Sequence, residues 1–341
     1  MPVPAYLSSQ MPVTILDGGT GRELKALGAP FRQPEWSALA LLEPAGHAFV
    51  SRVHERFAAA GAAVITTNSY AVVPFHLGAE VFQARGAELA ALAGRLAREA
   101  ADAANASGAH TGSGRRVRVA GSLPPIGGSY RADLFDASAA RPVLEALVAQ
   151  LAPSVDLWLA ETLSCTAEAR LVREVIGARG SGGSAATDKP LWLSFTLVDG
   201  EEGHGGGGGG ADSHAPAASG AVAALRGGES VEEAVAAAAA AGAQAVLFNC
   251  SMPEVMVGAV TAAVAAARGT CVAHIGVYAN GFAPMSKTAT ANAGYSTLRE
   301  ELTPELYLGF ARDWAARGAS IIGGCCGIGA EHIKALSEAA L

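Results

Sequence analysis

Residues 245–268 read AVLFNCSMPEVMVGAVTAAVAAAR, and this stretch contains the repeating unit of the whole chain. The run from Ala245 to Asn249 is short and apolar, which is typical of a strand that is buried on both faces. Polar residues follow it, and Pro253 then opens a longer apolar pattern that predicts a helix to Arg268. One strand, one polar strand end and one helix therefore form the unit.

The same succession occurs eight times along the chain. Strands are predicted at Val13 to Asp17, Ala63 to Thr67, Val117 to Ala120, Asp156 to Ala160, Leu191 to Thr196, Ala245 to Asn249, Val272 to Tyr278 and Ala319 to Gly323. Helices are predicted at Ala45 to Ala60, Glu80 to Ala106, Ser138 to Leu151, Thr166 to Ala178, Ser230 to Ala241, Pro253 to Arg268, Pro304 to Arg317 and Ala330 to Ala340.

Eight consecutive strand–helix units are the number that closes a (β/α)8 barrel. The sequence therefore predicts an α/β fold, a single-domain TIM barrel over residues 1–341. A doubly wound open sheet is the alternative. It is disfavoured because no Gly-x-Gly-x-x-Gly turn follows the first predicted strand.

Composition narrows the class of protein. The 24 Lys+Arg and 31 Asp+Glu give a formal charge of −7, which argues against a nucleic-acid partner. Met1 to Gln10 contains no Lys or Arg and no apolar signal region, and no stretch is apolar enough to span a bilayer, so we expect a cytoplasmic protein without a membrane partner. Five cysteines, an odd number, argue against a disulfide framework. Both a monomer and a homo-oligomer are compatible with this sequence.

Three low-complexity segments interrupt the pattern, at about residues 107–116, 179–189 and 201–228. In a barrel the first two leave the bottom face, because each follows a helix and precedes a strand. The third follows strand five, so it leaves the catalytic top face, and it contains the run Gly205 to Gly210. Because such sequence cannot offset its ordering entropy, we expect a disordered and dispensable insertion rather than a functional lid.

Polar residues stand at the predicted carboxyl ends of the strands, where barrel enzymes carry their chemistry. They are Asp17-Gly18-Gly19-Thr20-Gly21, Thr67-Asn68-Ser69-Tyr70, Ser122, Glu161-Thr162, Thr196, Asn249-Cys250-Ser251, Asn280 and Gly324-Cys325-Cys326-Gly327.

Three of the five cysteines belong to this set, namely Cys250, Cys325 and Cys326. Strands six and eight are separated by one strand, so the three sulfurs can converge across the barrel mouth. Three thiolates suit a Zn²⁺ ion and leave its fourth position open for a substrate. The neighbouring glycines permit the irregular backbone that two adjacent cysteine ligands need. Buried small side chains and a redox-active vicinal pair are the alternatives.

Taken together, these motifs resemble the homocysteine S-methyltransferase family, over about Val13 to His332. The resemblance rests on Asp17-Gly18-Gly19-x-x-x-Glu23-Leu24, Thr67-Asn68-Ser69-Tyr70, Glu161-Thr162, Asn249-Cys250 and Gly323-Gly324-Cys325-Cys326-Gly327. It implies a barrel that holds Zn²⁺ through Cys250, Cys325 and Cys326. It also implies transfer of a methyl group to the thiol of L-homocysteine, which gives methionine.

The substrate chemistry points to further residues. The ammonium group of homocysteine needs buried carboxylates, and Asp17 and Glu161 are the candidates, a role that the resemblance supports. The alternatives are a turn former for Asp17 and a helix N-cap for Glu161. Backbone N–H groups around Gly18, Gly19 and Thr20 can receive the substrate carboxylate.

Asn68 and Tyr70 are expected to line the mouth, where an aromatic face attracts a positively charged methyl donor. Packing of Tyr70 at the rim is the alternative. We rank S-methylmethionine first, S-adenosylmethionine second and betaine third. No sequence feature indicates the adenine pocket that S-adenosylmethionine needs. Betaine would favour several aromatic residues, and only Tyr70 stands at an assigned strand end. A barrel lyase and a non-catalytic zinc- or thiol-binding protein remain as other functions. A Schiff-base aldolase is disfavoured because no lysine falls at a strand end.

Overall fold

A computed structural model of the protein describes residues 12–108, 116–178, 188–199, 223–284, 292, 297–339 and 341. Within them the strands are β1 Thr14–Ile15, β2 Val64–Thr66, β3 Arg118–Leu123, β4 Leu157–Leu163, β5 Leu191–Phe195, β6 Ala245–Asn249, β7 His274–Ala279 and β8 Ile321–Gly324. The helices are α1 Thr20–Ala26, α2 Leu39–Leu42, α3 His47–Ala59, α4 Pro74–Leu77, α5 Ala79–Ala106, α6 Ala137–Leu151, α7 Thr166–Gly177, α8 Val231–Ala240, α9 Pro253–Ala266, α10 Pro304–Ala316 and α11 Ala330–Glu338.

All ladders between neighbouring strands are parallel, and the order around the sheet is β1-β8-β7-β6-β5-β4-β3-β2. A single parallel bridge between Leu16 and Val64 joins β1 to β2 and closes the circle. The prediction of a single-domain (β/α)8 TIM barrel is therefore confirmed, and the doubly wound open sheet is excluded.

The side chains of each strand divide between two apolar cores. In β4, Leu157 and Leu159 belong to the inner core of the barrel, whereas Trp158 and Ala160 pack in the outer core under the helices. This division follows from the alternation of side chains along a strand. Because both faces are buried, the strands read as continuous apolar runs rather than as an apolar–polar alternation. The inner row of β4 continues to Glu161, which thus reaches the barrel mouth.

Two helices begin with N-capping residues that can be recognised in the sequence. Ser230 caps α8 by accepting from the Glu233 N–H, while the Glu233 carboxylate accepts from the Ser230 N–H. Thr303 caps α10 by accepting from the Leu306 N–H, and Pro304 occupies the first helical position. Three short helices, α1, α2 and α4, were not predicted; they lie in the segments that follow β1 and β2 and so belong to the carboxyl-terminal face.

Most of each low-complexity segment, residues 109–115, 179–187 and 200–222, lies outside the described residues. The expectations about these segments, including the run Gly205 to Gly210, therefore stay predictions. In the described part of the chain, no helix combines the length and the apolar character that crossing a bilayer requires.

Candidate active site

A cavity of about 180 Å³ opens at the carboxyl ends of the strands. Every residue that the sequence analysis assigned to metal or substrate binding lines this cavity: Asp17, Gly18, Gly19, Thr20, Asn68, Tyr70, Glu161, Cys250, Cys325 and Cys326. They follow or end five different strands, so the barrel alone brings them together. This is the face on which barrel enzymes carry their active sites.

A second cavity, of about 560 Å³, lies at the opposite end of the strands and is lined by Arg98, Arg116, Arg118 and Asp156 among others. Arg98 is already engaged there by Asp156 at 2.9 Å and by Asp102 at 3.0 Å. Among the described residues, no cluster of three potential metal ligands lies in this cavity. The carboxyl-terminal cavity is therefore the candidate active site.

Three cysteine sulfurs meet in that cavity. The Sγ atoms of Cys250, Cys325 and Cys326 all lie within 4.8 Å of one another, the sole such group in the described part of the chain. Zn–S bonds of about 2.3 Å would place the sulfurs of a tetrahedral site about 3.8 Å apart, so the group is compact enough for one ion. Cys250 and Cys325 are joined as a disulfide with their Cα atoms 5.7 Å apart, and Cys326 is a free thiol. The sequence analysis did not anticipate this pair, and metal binding requires its reduction.

The backbone explains how Cys250 reaches the cavity. Ala245 and Leu247 belong to the inner core, so in a regular strand Asn249 would face inward and Cys250 outward. Cys250 instead adopts a left-handed conformation, with φ of 49°, and lines the cavity. This conformation is uncommon for a residue with a side chain, and such residues concentrate at functional sites.

The loop after β1 packs closely against the loop after β8 because position 19 is a glycine. A Cβ atom on Gly19 would overlap the carbonyl oxygen of Cys325. The Gly19 N–H donates to the carbonyl of Ile328 at 2.9 Å, which ties the loop after β1 to the loop after β8. The absence of a side chain at Gly19 thus sets how closely the loop after β1 approaches the cysteines.

Asp17 is 4% exposed, and both of its carboxylate oxygens are held from β2. The Thr66 N–H donates to Oδ2 at 2.6 Å, and the Thr66 hydroxyl donates to Oδ1 at 3.0 Å. Burial raises the pKa of Asp17 to about 7 despite these bonds, which act in the opposite direction. These two bonds tie the carboxylate to the neighbouring strand, a contact that the turn-former interpretation of Asp17 does not explain.

Glu161 lies inside β4 and is also buried. The Ser122 hydroxyl donates to Oε1 at 2.5 Å and the Tyr278 hydroxyl donates to Oε2 at 3.3 Å. Burial raises the pKa of Glu161 to about 7, while both hydroxyls lower it. The N-cap interpretation of Glu161 is wrong, because Cys165 is the N-cap of α7. Two buried carboxyl groups with raised pKa values in one cavity mark a candidate site for a cation.

The cavity contains more aromatic side chains than the sequence analysis expected. Beside Tyr70, its lining includes Phe31, Trp36, His76, Tyr130, Tyr278 and Phe282. The expectation that Tyr70 stands alone is therefore corrected. Tyr278 is the last residue of predicted strand seven and could have been found by the strand-end rule. Phe31 and Trp36 come from a segment between α1 and α2 with no periodic pattern, so no sequence signal marked them.

Several contacts fix this aromatic wall. The Trp36 indole N–H donates to Oδ1 of Asn292 at 2.7 Å, and the Phe31 and Trp36 rings meet edge to face with centroids 5.6 Å apart. The Asn68 amide donates to the carbonyl of Ser37 at 3.0 Å, which anchors the Trp36 segment to the loop after β2. Asn68 therefore lines the cavity and also supports its wall.

Comparison with known proteins agrees with this geometry. The family model described as "Homocysteine S-methyltransferase" matches residues 14–340. The homocysteine S-methyltransferase of Escherichia coli (strain K12) is 33% identical over 217 residues, which is 59% of this chain and 63% of that relative. The alignment thus spans less than two thirds of its length. The homocysteine S-methyltransferase 1 of Zea mays is 26% identical over 337 residues, 95% of this chain and 93% of the relative.

Solved structures give the same result over nearly the full length. The metallated form of the homocysteine methyltransferase MmuM from Escherichia coli is 26% identical with a TM-score of 0.67, and the comparison covers 98% of each chain. The oxidized form of MmuM is 25% identical with a TM-score of 0.68, again over 98% of each chain.

Proposed function

The chain belongs to the homocysteine S-methyltransferase family, and from that premise we propose that it transfers a methyl group from a small sulfonium donor to the thiol of L-homocysteine. The product would be methionine. The observation that carries the proposal is the meeting of three cysteine sulfurs and two buried carboxyl groups in one cavity at the carboxyl ends of the strands.

We propose Zn²⁺ as the metal, held by Cys250, Cys325 and Cys326 in their reduced form. Three soft sulfur ligands within 4.8 Å of one another fit this ion, and the metallated form of the MmuM neighbour supports a metal-dependent enzyme. When bound, Zn²⁺ would lower the pKa of the substrate thiol and so supply a thiolate nucleophile at neutral pH.

Asp17 and Glu161 would hold the substrate ammonium. Bonds from Thr66, Ser122 and Tyr278 fix the four carboxylate oxygens before the substrate arrives, so little reorganisation is needed. A bound ammonium favours the ionised form of both acids and thus counteracts the effect of their burial.

The substrate carboxylate would be taken by backbone N–H groups at the start of α1. The Gly19 N–H already donates to Ile328, so it does not take part. This role falls to the N–H groups of Gly18 and Thr20, which line the same cavity.

The aromatic wall supports a positively charged donor, because the faces of Trp36, Tyr70 and Tyr130 attract a sulfonium. It also weakens the argument that placed betaine last. We propose S-methylmethionine before S-adenosylmethionine, because a cavity of about 180 Å³ is small for an added adenosine. No observation favours a lyase or a non-catalytic binding protein. The cytoplasmic location stays a prediction.

The test is zinc quantification of the reduced protein together with methionine formation from homocysteine and each of the three donors. We expect about one zinc per chain and the highest kcat/KM with S-methylmethionine. A higher kcat/KM with betaine would overturn the donor assignment. Failure to form methionine with any of the donors would overturn the proposed function.

A further inference from the structure

The strand that carries Glu161 is irregular at its end. The register between β4 and β5 shifts between Ala160 and Leu163, and Thr162 adopts φ of 63°. A β-branched residue is seldom found in this left-handed region, because its side chain crowds the backbone. As a result Thr162 lines the cavity beside Glu161, although consecutive side chains of a regular strand face opposite ways.

One side chain from β6 holds this irregular residue on two sides. Oδ1 of Asn249 accepts from the Thr162 N–H at 3.0 Å, and Nδ2 of Asn249 donates to the Thr162 hydroxyl oxygen at 2.9 Å. The same Oδ1 accepts from the Ser194 hydroxyl at 2.8 Å. Asn249 and Ser194 are fully buried and Thr162 is 1% exposed, so water does not compete for these bonds.

The two hydrogen bonds matter because an unfavourable backbone conformation persists only where its surroundings impose it. Bonds to both the backbone and the side chain of Thr162 restrain its conformation. The residue they restrain is covalently joined to Glu161. A change at Asn249 would therefore be transmitted to the end of the strand that carries this carboxylate.

We propose that Asn249 is a positioning residue for homocysteine: it holds Thr162 in the left-handed conformation that places this residue in the cavity beside Glu161 and fixes the end of the strand that carries the carboxylate. This inference rests on the proposed function of the site. Asn249 acts through Thr162 and touches no reacting atom.

Cys250, the proposed metal ligand next to Asn249, is held by hydrogen bonds of its own. The Cys250 N–H donates to the carbonyl of Tyr278 at 3.4 Å, and the Cys250 carbonyl accepts from the Tyr130 hydroxyl at 3.3 Å. Truncation of the Asn249 side chain leaves both contacts in place. The proposal therefore expects a loss of substrate affinity without a loss of metal.

The test is a double-mutant cycle on the zinc-loaded, reduced protein, with homocysteine affinity measured by calorimetry and zinc content measured beside it. Asn249→Ala should weaken binding about tenfold or more, with zinc retained. In a Thr162→Gly background, Asn249→Ala should weaken homocysteine binding by less than about threefold, because glycine adopts the left-handed conformation without support from another side chain. Equal losses in the two backgrounds, parent-like affinity of Asn249→Ala, or loss of its zinc would each overturn the proposal.

Asn105→Ala is the matched control. Asn105 likewise bonds a backbone, at the far end of the barrel, through Oδ1 to the Val117 N–H at 2.8 Å and through Nδ2 to the Val117 carbonyl at 3.0 Å. Its loss should leave homocysteine affinity unchanged. If Asn249→Ala does not fold, the cycle is run with Asn249→Asp, which keeps the acceptor and loses the donor. A parent protein that does not bind homocysteine would instead count against the proposed function.

Discussion

The hydroxyl of Tyr278, in β7, donates to Oε2 of Glu161, in β4, across 3.3 Å of the barrel mouth. Neutral hydroxyl groups can orient a buried carboxylate, but they do not balance its charge. Among the described residues that line the cavity there is no lysine or arginine. A bound amino acid, as proposed above, would supply this cation through its ammonium group.

Glu161→Gln should therefore weaken homocysteine binding by at least about tenfold, because it removes one of the two charges that face the ammonium. Calorimetric titration of the zinc-loaded protein measures the change, and zinc content should stay at the parent level. Glu168→Gln is the control, because Glu168 is equally buried but accepts from the backbone N–H of Ser164 at the start of α7. Equal affinities in parent and Glu161→Gln would show that Glu161 does not hold the ammonium.

Cys326→Ser should remove most of the bound metal and the methyl-transfer activity while the barrel stays folded. The reason is that a serine hydroxyl is a poor zinc ligand, whereas the apolar cores of the barrel do not include the ion. Elemental analysis of reduced protein and circular dichroism measure the two effects. Cys271→Ser, at an exposed position outside the cavity, is the control and should keep its zinc. Stoichiometric zinc in Cys326→Ser would exclude this residue as a ligand.

Trp36→Leu should raise the KM for the sulfonium donor several-fold and leave homocysteine affinity near the parent value. The indole face is lost from the wall on which a cation would rest, and such contacts contribute about 0.5–2 kcal/mol. Initial rates at saturating homocysteine measure the donor KM. Phe310→Leu, on α10 away from the cavity, controls for the loss of an aromatic ring. An unchanged donor KM would remove Trp36 from the donor site.

His54 predicts how the stability of the fold depends on pH. It is fully buried in α3, and among the described residues neither ring nitrogen has a hydrogen-bond partner. Burial lowers its pKa from 6.5 to about 4. Between these values the unfolded chain binds a proton that the folded chain does not, so stability falls as the pH falls from 6.5 towards 4. Between pH 8 and pH 5 this group alone should cost about 2 kcal/mol.

Urea unfolding of the parent and of His54→Leu at pH 8 and pH 5 measures this contribution. The parent should lose about 2 kcal/mol more than the variant between the two pH values. Val50→Ala, a buried change on the same helix, should lower stability equally at both. An identical pH dependence in parent and His54→Leu would mean that His54 is not held neutral by burial.

The eight strands could be predicted from the sequence because both of their faces are buried, and such strands appear as short continuous apolar runs. Strand β6 was predicted with its observed bounds, Ala245–Asn249. Strand β1 was predicted from Val13 to Asp17, yet its ladder covers only Thr14–Ile15. Apolar pattern reports burial but not the number of backbone bonds, so the short ladder could not be read from it.

The strand-end rule also located the candidate ligands, because it depends only on strand order and direction. It could not locate Trp36, which reaches the cavity from a loop whose conformation no periodic pattern specifies. Nor could it show the left-handed backbone at Thr162 and Cys250, since neither is a residue type that favours that region. These two residues decide which side chains face inward, and only the folded structure reveals them.

The barrel closes between β1 and β2 through a few contacts only, which form a narrow seam. They are the Leu16–Val64 bridge and two backbone hydrogen bonds. The Ala63 N–H donates to the Ile15 carbonyl at 2.8 Å, and the Asp17 N–H donates to the Val64 carbonyl at 3.0 Å. Two residues beyond Val64 in β2, the Thr66 N–H donates to the Asp17 carboxylate itself at 2.6 Å. Amide exchange should be fastest along this seam, because local opening there breaks few bonds. An ammonium group paired with Asp17 would slow the exchange of the Thr66 amide. An amino acid in the cavity would thereby also reduce the local opening of the barrel between β1 and β2.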